Sequence, residues 1–232
     1  MEPRTLLAHY DNGTLWPAQA AAGIGGDVAV AYQQALAVRS LRQARGEEPR
    51  GYKIGFTNRN IWAHYQVFGP IWGTVWSTTL RFCAGEGRVS LDHCAQPRLE
   101  PEAVFGLKAT PAPDASLDDL FDAIDWVAPG FEIVQSHQPG WKFTAAQTVA
   151  DSALHCDGEA REQGQGANVL GGPLNALHHF LKELRACPGA PDLQPGDVVT
   201  TGTWTDAWPV QPGQRWSADF DAPLSRLSVT FT

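Results

Sequence analysis

The sequence predicts an α+β fold built round a mixed sheet or β-roll, and three observations predict it. Strand-like and helix-like stretches do not alternate as a doubly wound sheet requires. The final third reads as short strands joined by Pro-Gly turns at 195 to 196 and 212 to 213. Nine Trp, 23 Gly and 17 Pro residues point to aromatic packing between many turns. At 232 residues the chain can bury one substantial apolar core, organised as an amino-terminal helical portion over 1–50 and a β-roll domain over 51–232.

The elements follow in order. A first helix runs from Thr5 to about Tyr10, before the Asp11-Asn12-Gly13 turn. A second spans Asp27 to Arg45, with Val28, Ala31, Ala35 and Val38 on one side and Gly46 as its stop. "GYKIGFT" from Gly51 is a strand, and "NRNIWAHYQVFG" a short helix closed by Gly69-Pro70. "RLEPEAVFGLK" is an apolar strand carrying two glutamates. "SLDDLFDAIDWVAPG" reads as the clearest helix: Ser116 and Asp119 form a capping box, Leu117, Leu120, Phe121 and Ile124 share one face, and Pro129-Gly130 ends it. A strand, "FEIV", follows directly. "PLNALHHFLKELRACPG" is a helix opened by Pro173 and stopped by Pro188-Gly189, with Leu174, Leu177, Leu181 and Leu184 on one face.

Composition excludes several functions. The formal charge of −8, from 17 basic and 25 acidic residues, gives no field to gather a nucleic-acid backbone. The amino terminus has neither a basic start nor a long apolar run, so neither a secretory signal nor a membrane span is expected and a cytoplasmic location is. Four cysteines in unrelated contexts offer no half-site for zinc and no redox pair.

The glutamates are the chemical signal. In a strand, Glu100, Glu102 and Val104 share one face, so both carboxylates aim at one place. Like charges that close are tolerable only in water, protonated, or neutralised by a cation. Glu132 in "FEIV" is a third acid embedded in an apolar strand. Three such carboxylates from two strands suit an octahedral, oxygen-preferring ion such as Mg²⁺ or Mn²⁺. Spacing alone leaves a solvated strand edge as the alternative, since Pro101 is typical of edges.

Seven motifs in order favour the metal site: "GYKIGFTN" (51 to 58), "FGPIWGTV" (68 to 75), "QPRLEPEAVFGL" (96 to 107), "IDWVAPGFEIVQS" (124 to 136), "GWKFTAAQTVADS" (140 to 152), "LGGPLNAL" (170 to 177) and "LQPGDVVTTGT" (193 to 203). Together they resemble the fumarylacetoacetate hydrolase superfamily, in its branch of 2-keto-4-pentenoate hydratases and 4-oxalocrotonate decarboxylases. The resemblance implies a β-roll core, a homodimer or larger homo-oligomer, and 2-oxo or 2-hydroxydienoic acids as substrates. It also implies Glu100, Glu102 and Glu132 as ligands of the divalent metal and Lys53 as the catalytic lysine. Lys142, Thr201, Gly202 and Thr203 would line the substrate pocket.

The chain departs from the family pattern in three places. Ile71 stands where family hydratases commonly have an aspartate. A further serine of the family pattern, expected a little beyond "TVADS", finds Leu154 and His155 near its place, and His155 is taken as a substitute acid or base. The chain between His155 and Gly164 is also shorter than the family's. The favoured reading is a metal-dependent hydratase giving a 4-hydroxy-2-oxo acid. The alternatives are a decarboxylase of a vinylogous 2-oxo diacid, an acylpyruvate C–C hydrolase, and a non-enzymatic binding protein. Arg59, Trp62, Trp72 and Trp204 are candidates to face the substrate's tail.

Overall fold

The computed structural model describes residues 1–17, 27–149 and 162–232. Among the described residues two helices come first. α1, Pro3–Asn12, ends at Gly13, whose φ of 59° is the left-handed conformation that a side chain disfavours. α2, Val28–Ala44, begins at Asp27, whose carboxylate accepts from the N–H groups of Ala29 and Val30. β1 (Pro49–Gly55) follows, then α3 (Trp62–Tyr65) after a 3₁₀ turn, β2 (Ile71–Trp76), β3 (Glu86–Val89) and β4 (Arg98–Leu107). Next come α4 (Leu117–Asp122), β5 (Ile124–Val134), α5 (Ala145–Val149) and α6 (Pro173–Ala186). β6 (Val198–Thr200), β7 (Trp208–Pro209), β8 (Arg215–Ala218) and β9 (Leu227–Phe231) complete the chain.

The strands form two sheets. A six-stranded sheet runs β2-β1-β6-β4-β5, with β7 also paired to β4, and a three-stranded sheet runs β3-β9-β8. β1 and β6 are parallel while β1–β2, β4–β5 and β4–β6 are antiparallel, so the large sheet is mixed as expected. One face of it carries Tyr52, Ile54, Trp72, Phe105 and Val199 against α2 and α6, where Tyr32, Ala176, Leu177, Phe180 and Leu184 are buried. Apolar alternation along β1 and β4 therefore drives one face into a helical layer and leaves the other face to Lys53, Glu100 and Glu102.

The reading of 116 to 128 as one helix is corrected. The capping box at Ser116 and Asp119 is present, but α4 stops at Asp122 and β5 begins at Ile124, passing through Pro129-Gly130 to Val134. Pairing decides it: β5 matches β4 from Arg98↔Val134 to Leu107↔Ile124, an extended ladder that a six-residue amphipathic turn cannot rival. Pro129 is tolerated because β5 is the edge of the sheet, where one side of the strand needs no donor. Of the expected helix face only Leu120 is buried, and Leu117 and Phe121 are exposed.

The helical portion is fastened to β2 by a buried charge cluster. Arg42 donates from Nε and Nη2 to Glu47 Oε2 at 3.0 and 2.5 Å, and Thr78 Oγ1 donates to the same oxygen at 2.6 Å. Arg45 binds the other oxygen of Glu47 and makes a two-pronged pair with Asp11 of α1 at 2.6 and 2.9 Å. The Arg42 guanidinium also lies 4.6 Å from the ring centre of Tyr10 and 4.5 Å from that of Trp76.

Candidate metal centre

The register of β4 against β5 builds the site. Glu100 stands opposite Glu132 and Glu102 opposite Gly130, so three carboxylates rise from adjacent rows on one face. One oxygen from each lies within 4.8 Å of the others. Lys53 of β1 stands two strands away in the register of Thr200, and its Nζ comes within 3.3 Å of Glu132 Oε1.

Neighbouring groups fix these side chains. The backbone N–H of Gly202 donates to Glu102 Oε2 at 2.8 Å, and Thr200 Oγ1 donates to Glu132 Oε2 at 3.1 Å. Gly202 has φ of 95°, and a Cβ there would overlap the hydroxyl of Thr57, so glycine is what allows the backbone to approach Glu102. Glu102 is fully buried, yet its Oε1 has no hydrogen-bond partner among the described residues. A buried carboxylate oxygen without a donor is costly, and it faces two more carboxylates.

Electrostatics make the same point. Burial, reinforced by the charge of Glu132, pushes Glu100 up to about 8, against the opposing charges of Lys53 and Arg98. The same two causes, with Glu100 added, hold Glu102 well above the usual carboxylate range. The donor set is all oxygen, close, anionic and under-neutralised, and it fits a hard divalent cation.

The structure brings together Glu100, Glu102, Glu132, Lys53 and the backbone of Gly202. Thr201 turns the other way: it is fully buried and its hydroxyl donates to the carbonyl of Ala103 at 2.8 Å, which ties the 201–204 segment to β4. The Thr203 hydroxyl donates to Thr205 O at 3.0 Å and accepts from the Thr205 N–H, shaping a turn. Lys142 is exposed and lines a hollow of 400 Å³ with His64, Tyr65 and Phe143. His155, like Asp151, lies outside the described residues.

The residues named for the substrate's tail all have contacts within the chain. Trp72 is buried and stacked 4.5 Å from Tyr32, and Trp62 donates from Nε1 to the carbonyl of Phe56. Arg59 lies beside Trp62 and His179, and Trp204 packs edge-on to Phe220. Ile71 is buried in the core cluster.

Two site residues escaped the sequence reading. Thr200 shares a strand face with position 202, so the period-two rule applied to "VVTTGT" selects Thr200 and Gly202 rather than 201 to 203 as a block. Arg98 precedes Glu100 on its face of β4. Its guanidinium lies 4.2 Å from the ring centre of Trp141, and Nη1 donates to Ala207 O at 3.4 Å. Burial lowers its pKa from the ordinary arginine value while the charge of Glu100 opposes that shift.

Comparison with known proteins supplies the family. The fold is that of the fumarylacetoacetate hydrolase superfamily. Within it, the chain belongs to the 2-keto-4-pentenoate hydratase and 4-oxalocrotonate decarboxylase family. It is 30% identical over 230 residues to a 2-hydroxyhexa-2,4-dienoate hydratase of Comamonas testosteroni, covering 87% of this chain and 85% of the relative. It is 29% identical over 215 residues to a 4-oxalocrotonate decarboxylase of a Pseudomonas species, covering 81% and 82%. The solved 4-oxalocrotonate decarboxylase of Pseudomonas putida G7, complexed with magnesium and adipate, superposes with a TM-score of 0.84 at 26% identity, over 99% of this chain and 95% of that one. No family profile matches the chain.

Proposed function

We propose that this protein is a divalent-metal-dependent lyase that hydrates a 2-hydroxy-2,4-dienoate to a 4-hydroxy-2-oxo acid. The observation that carries the proposal is the buried, unpartnered Oε1 of Glu102 beside Glu100 and Glu132. These three residues would hold Mg²⁺ or Mn²⁺. When bound, the cation supplies a Lewis acid for the 1-carboxylate and 2-oxo oxygens of the substrate.

The chain's own groups do the rest. Gly202 N–H and Thr200 hold Glu102 and Glu132 in place. Lys53 Nζ, beside Glu132 and only 14% exposed, is the group placed to move a proton. In the overall reaction the 2-hydroxyl proton leaves as a proton arrives at C5. Water oxygen then bonds to C4 and a proton is added at C3, so one water is consumed.

A second reading, decarboxylation of a 2-oxo-3-enedioate, is favoured by Ile71. This buried side chain occupies the family's aspartate position and can neither take nor give a proton. Loss of CO₂ needs no activated water. A homo-oligomeric state, carried over from the family, belongs to the same proposal and is read by sedimentation.

Calorimetry with oxalate, a mimic of the 2-oxo acid head, tests the site. Oxalate is expected to bind only with Mg²⁺ or Mn²⁺ present and not to bind Glu102→Ala. Parallel assays of 2-hydroxypenta-2,4-dienoate consumption and of CO₂ release from 4-oxalocrotonate separate the two reactions. Metal-independent oxalate binding, or turnover unaffected in Glu102→Ala, would overturn the proposal.

A further inference from the structure

Beyond the head of the substrate, the same sheet face carries a shaped apolar floor. The cavity that reaches Lys53, Glu132 and Thr200 also touches Gly73, Val104, Ala128, Gly130, Trp126 and Phe82; with its continuation past β2 and β3 it measures 1310 Å³. Register places these residues in successive rows. Glu102 faces Gly130, Val104 faces Ala128, and Gly106 faces Trp126.

Three glycines keep this floor low. The stem of Lys53 lies across Gly73, with Cε 3.1 Å from where a Cβ would stand. The side chain of Val104 covers Gly130, and the indole of Trp126 covers Gly106, each so closely that a Cβ at the glycine would overlap it. Val104 and Trp126 thus fill the space that a side chain on the neighbouring strand would take. The floor therefore suits a planar body. At its far end Phe82 is 73% exposed and stands edge-on to Trp126, with ring centres 6.0 Å apart. From Glu102 to Gly106 is four residues, about 14 Å at the usual strand rise.

We propose that this floor is the tail subsite, and that the protein takes 2-oxo acids bearing a planar, apolar, aryl-sized substituent that lies over Val104 and Ala128 and ends against Trp126. The inference rests on the 2-oxo acid reading of the metal centre and adds the substrate class. Continuity of the cavity with Lys53 and Glu132 is what assigns the floor to the substrate rather than to a separate ligand. Small and apolar residues there offer a tail nothing to hydrogen-bond, so area and shape set the preference.

The test uses Mg²⁺-loaded full-length protein and three probes by calorimetry: oxalate, 2-oxobutanoate and benzylidenepyruvate, a 2-oxo acid with a conjugated phenyl tail. Benzylidenepyruvate is expected to bind about tenfold or more tighter than 2-oxobutanoate, the effect of burying one aromatic ring. Ala128→Trp, which fills the floor, and Trp126→Ala, which removes its end wall, should each erase most of that preference while oxalate binding stays intact. Intact oxalate binding also shows that each variant is folded. Equal binding of the two tailed acids overturns the proposal. So does a preference that survives both variants, or one removed by Trp141→Ala instead, which would send the tail the other way along β4 toward Arg98. Absent oxalate binding in the unmodified protein would defeat the metal-centre reading itself, a separate result.

Discussion

Two buried clusters of charge in this chain are built on opposite terms. At the clasp, Glu47 is 9% exposed and meets Arg42, Arg45 and Thr78, so each oxygen has a donor. At the metal centre, Glu102 is more deeply buried and meets two further carboxylates, with one oxygen unpartnered. Burial alone would raise the pKa of both acids. Hydrogen bonds from Arg42, Thr78 and Arg45 outweigh it at Glu47, which falls to about 2. Among the described residues nothing outweighs it at Glu102. A cluster completed by its own donors holds elements together, whereas one left incomplete among the described residues is open to a cation.

Removal of a partner gives the largest expected difference. Arg42→Ala leaves Glu47 buried beside a lost donor and should destabilise the protein by about 3–5 kcal/mol, read by urea denaturation. A loss under about 1 kcal/mol would show the clasp to be a solvated surface pair instead.

The pH dependence should separate the two clusters by sign. Glu47 has a folded pKa below its unfolded value, so its contribution is complete above about pH 4.5 and is lost as pH falls toward 2. Its size is on the order of 3 kcal/mol, from a shift from 4.5 to about 2. Glu100 is shifted the other way, up to about 8. The folded metal-free chain then binds more protons than the unfolded one between about pH 4.5 and 8, and its stability falls as pH rises through that window. Denaturation midpoints of chelator-treated protein across pH 2 to 9 would show both limbs, and a flat alkaline limb would remove the contrast.

The smallest effect sharpens the comparison most. Glu102→Gln keeps the shape and an acceptor for Gly202 N–H but removes one buried charge. It should stabilise the metal-free chain at pH 8 by about 1–2 kcal/mol while abolishing any rise in Tm on adding Mg²⁺. Destabilisation of the metal-free chain would mean that the carboxylate contributes structure rather than strain.

Much of this was legible in the linear chain. The alternation Glu100-x-Glu102 fixes two carboxylates on one strand face wherever that strand lies, because side chains alternate with period two. Asp27, Ser116 and Pro173 mark helix starts by local capping and backbone geometry, and all three stand at or beside helix starts in the structure. The stretch from Ile124 to Gly130 was not legible, because its local pattern suits a helix and only the ladder with β4 makes it a strand. That the Thr201 hydroxyl is spent on the carbonyl of Ala103 was likewise not legible, because it depends on β6 pairing with β4.

The sequence by itself determined the residue types, the local caps and turns, and the resemblance that joined three distant glutamates and Lys53 in one expectation. Only the tertiary structure decided that Glu132 stands opposite Glu100, that Gly202 N–H reaches Glu102, and that three glycines make room for Lys53, Val104 and Trp126 beside the site. Each of those facts is a register between strands far apart in the chain. Register is set by the burial of whole faces against the helical layer, and no local window of sequence contains it.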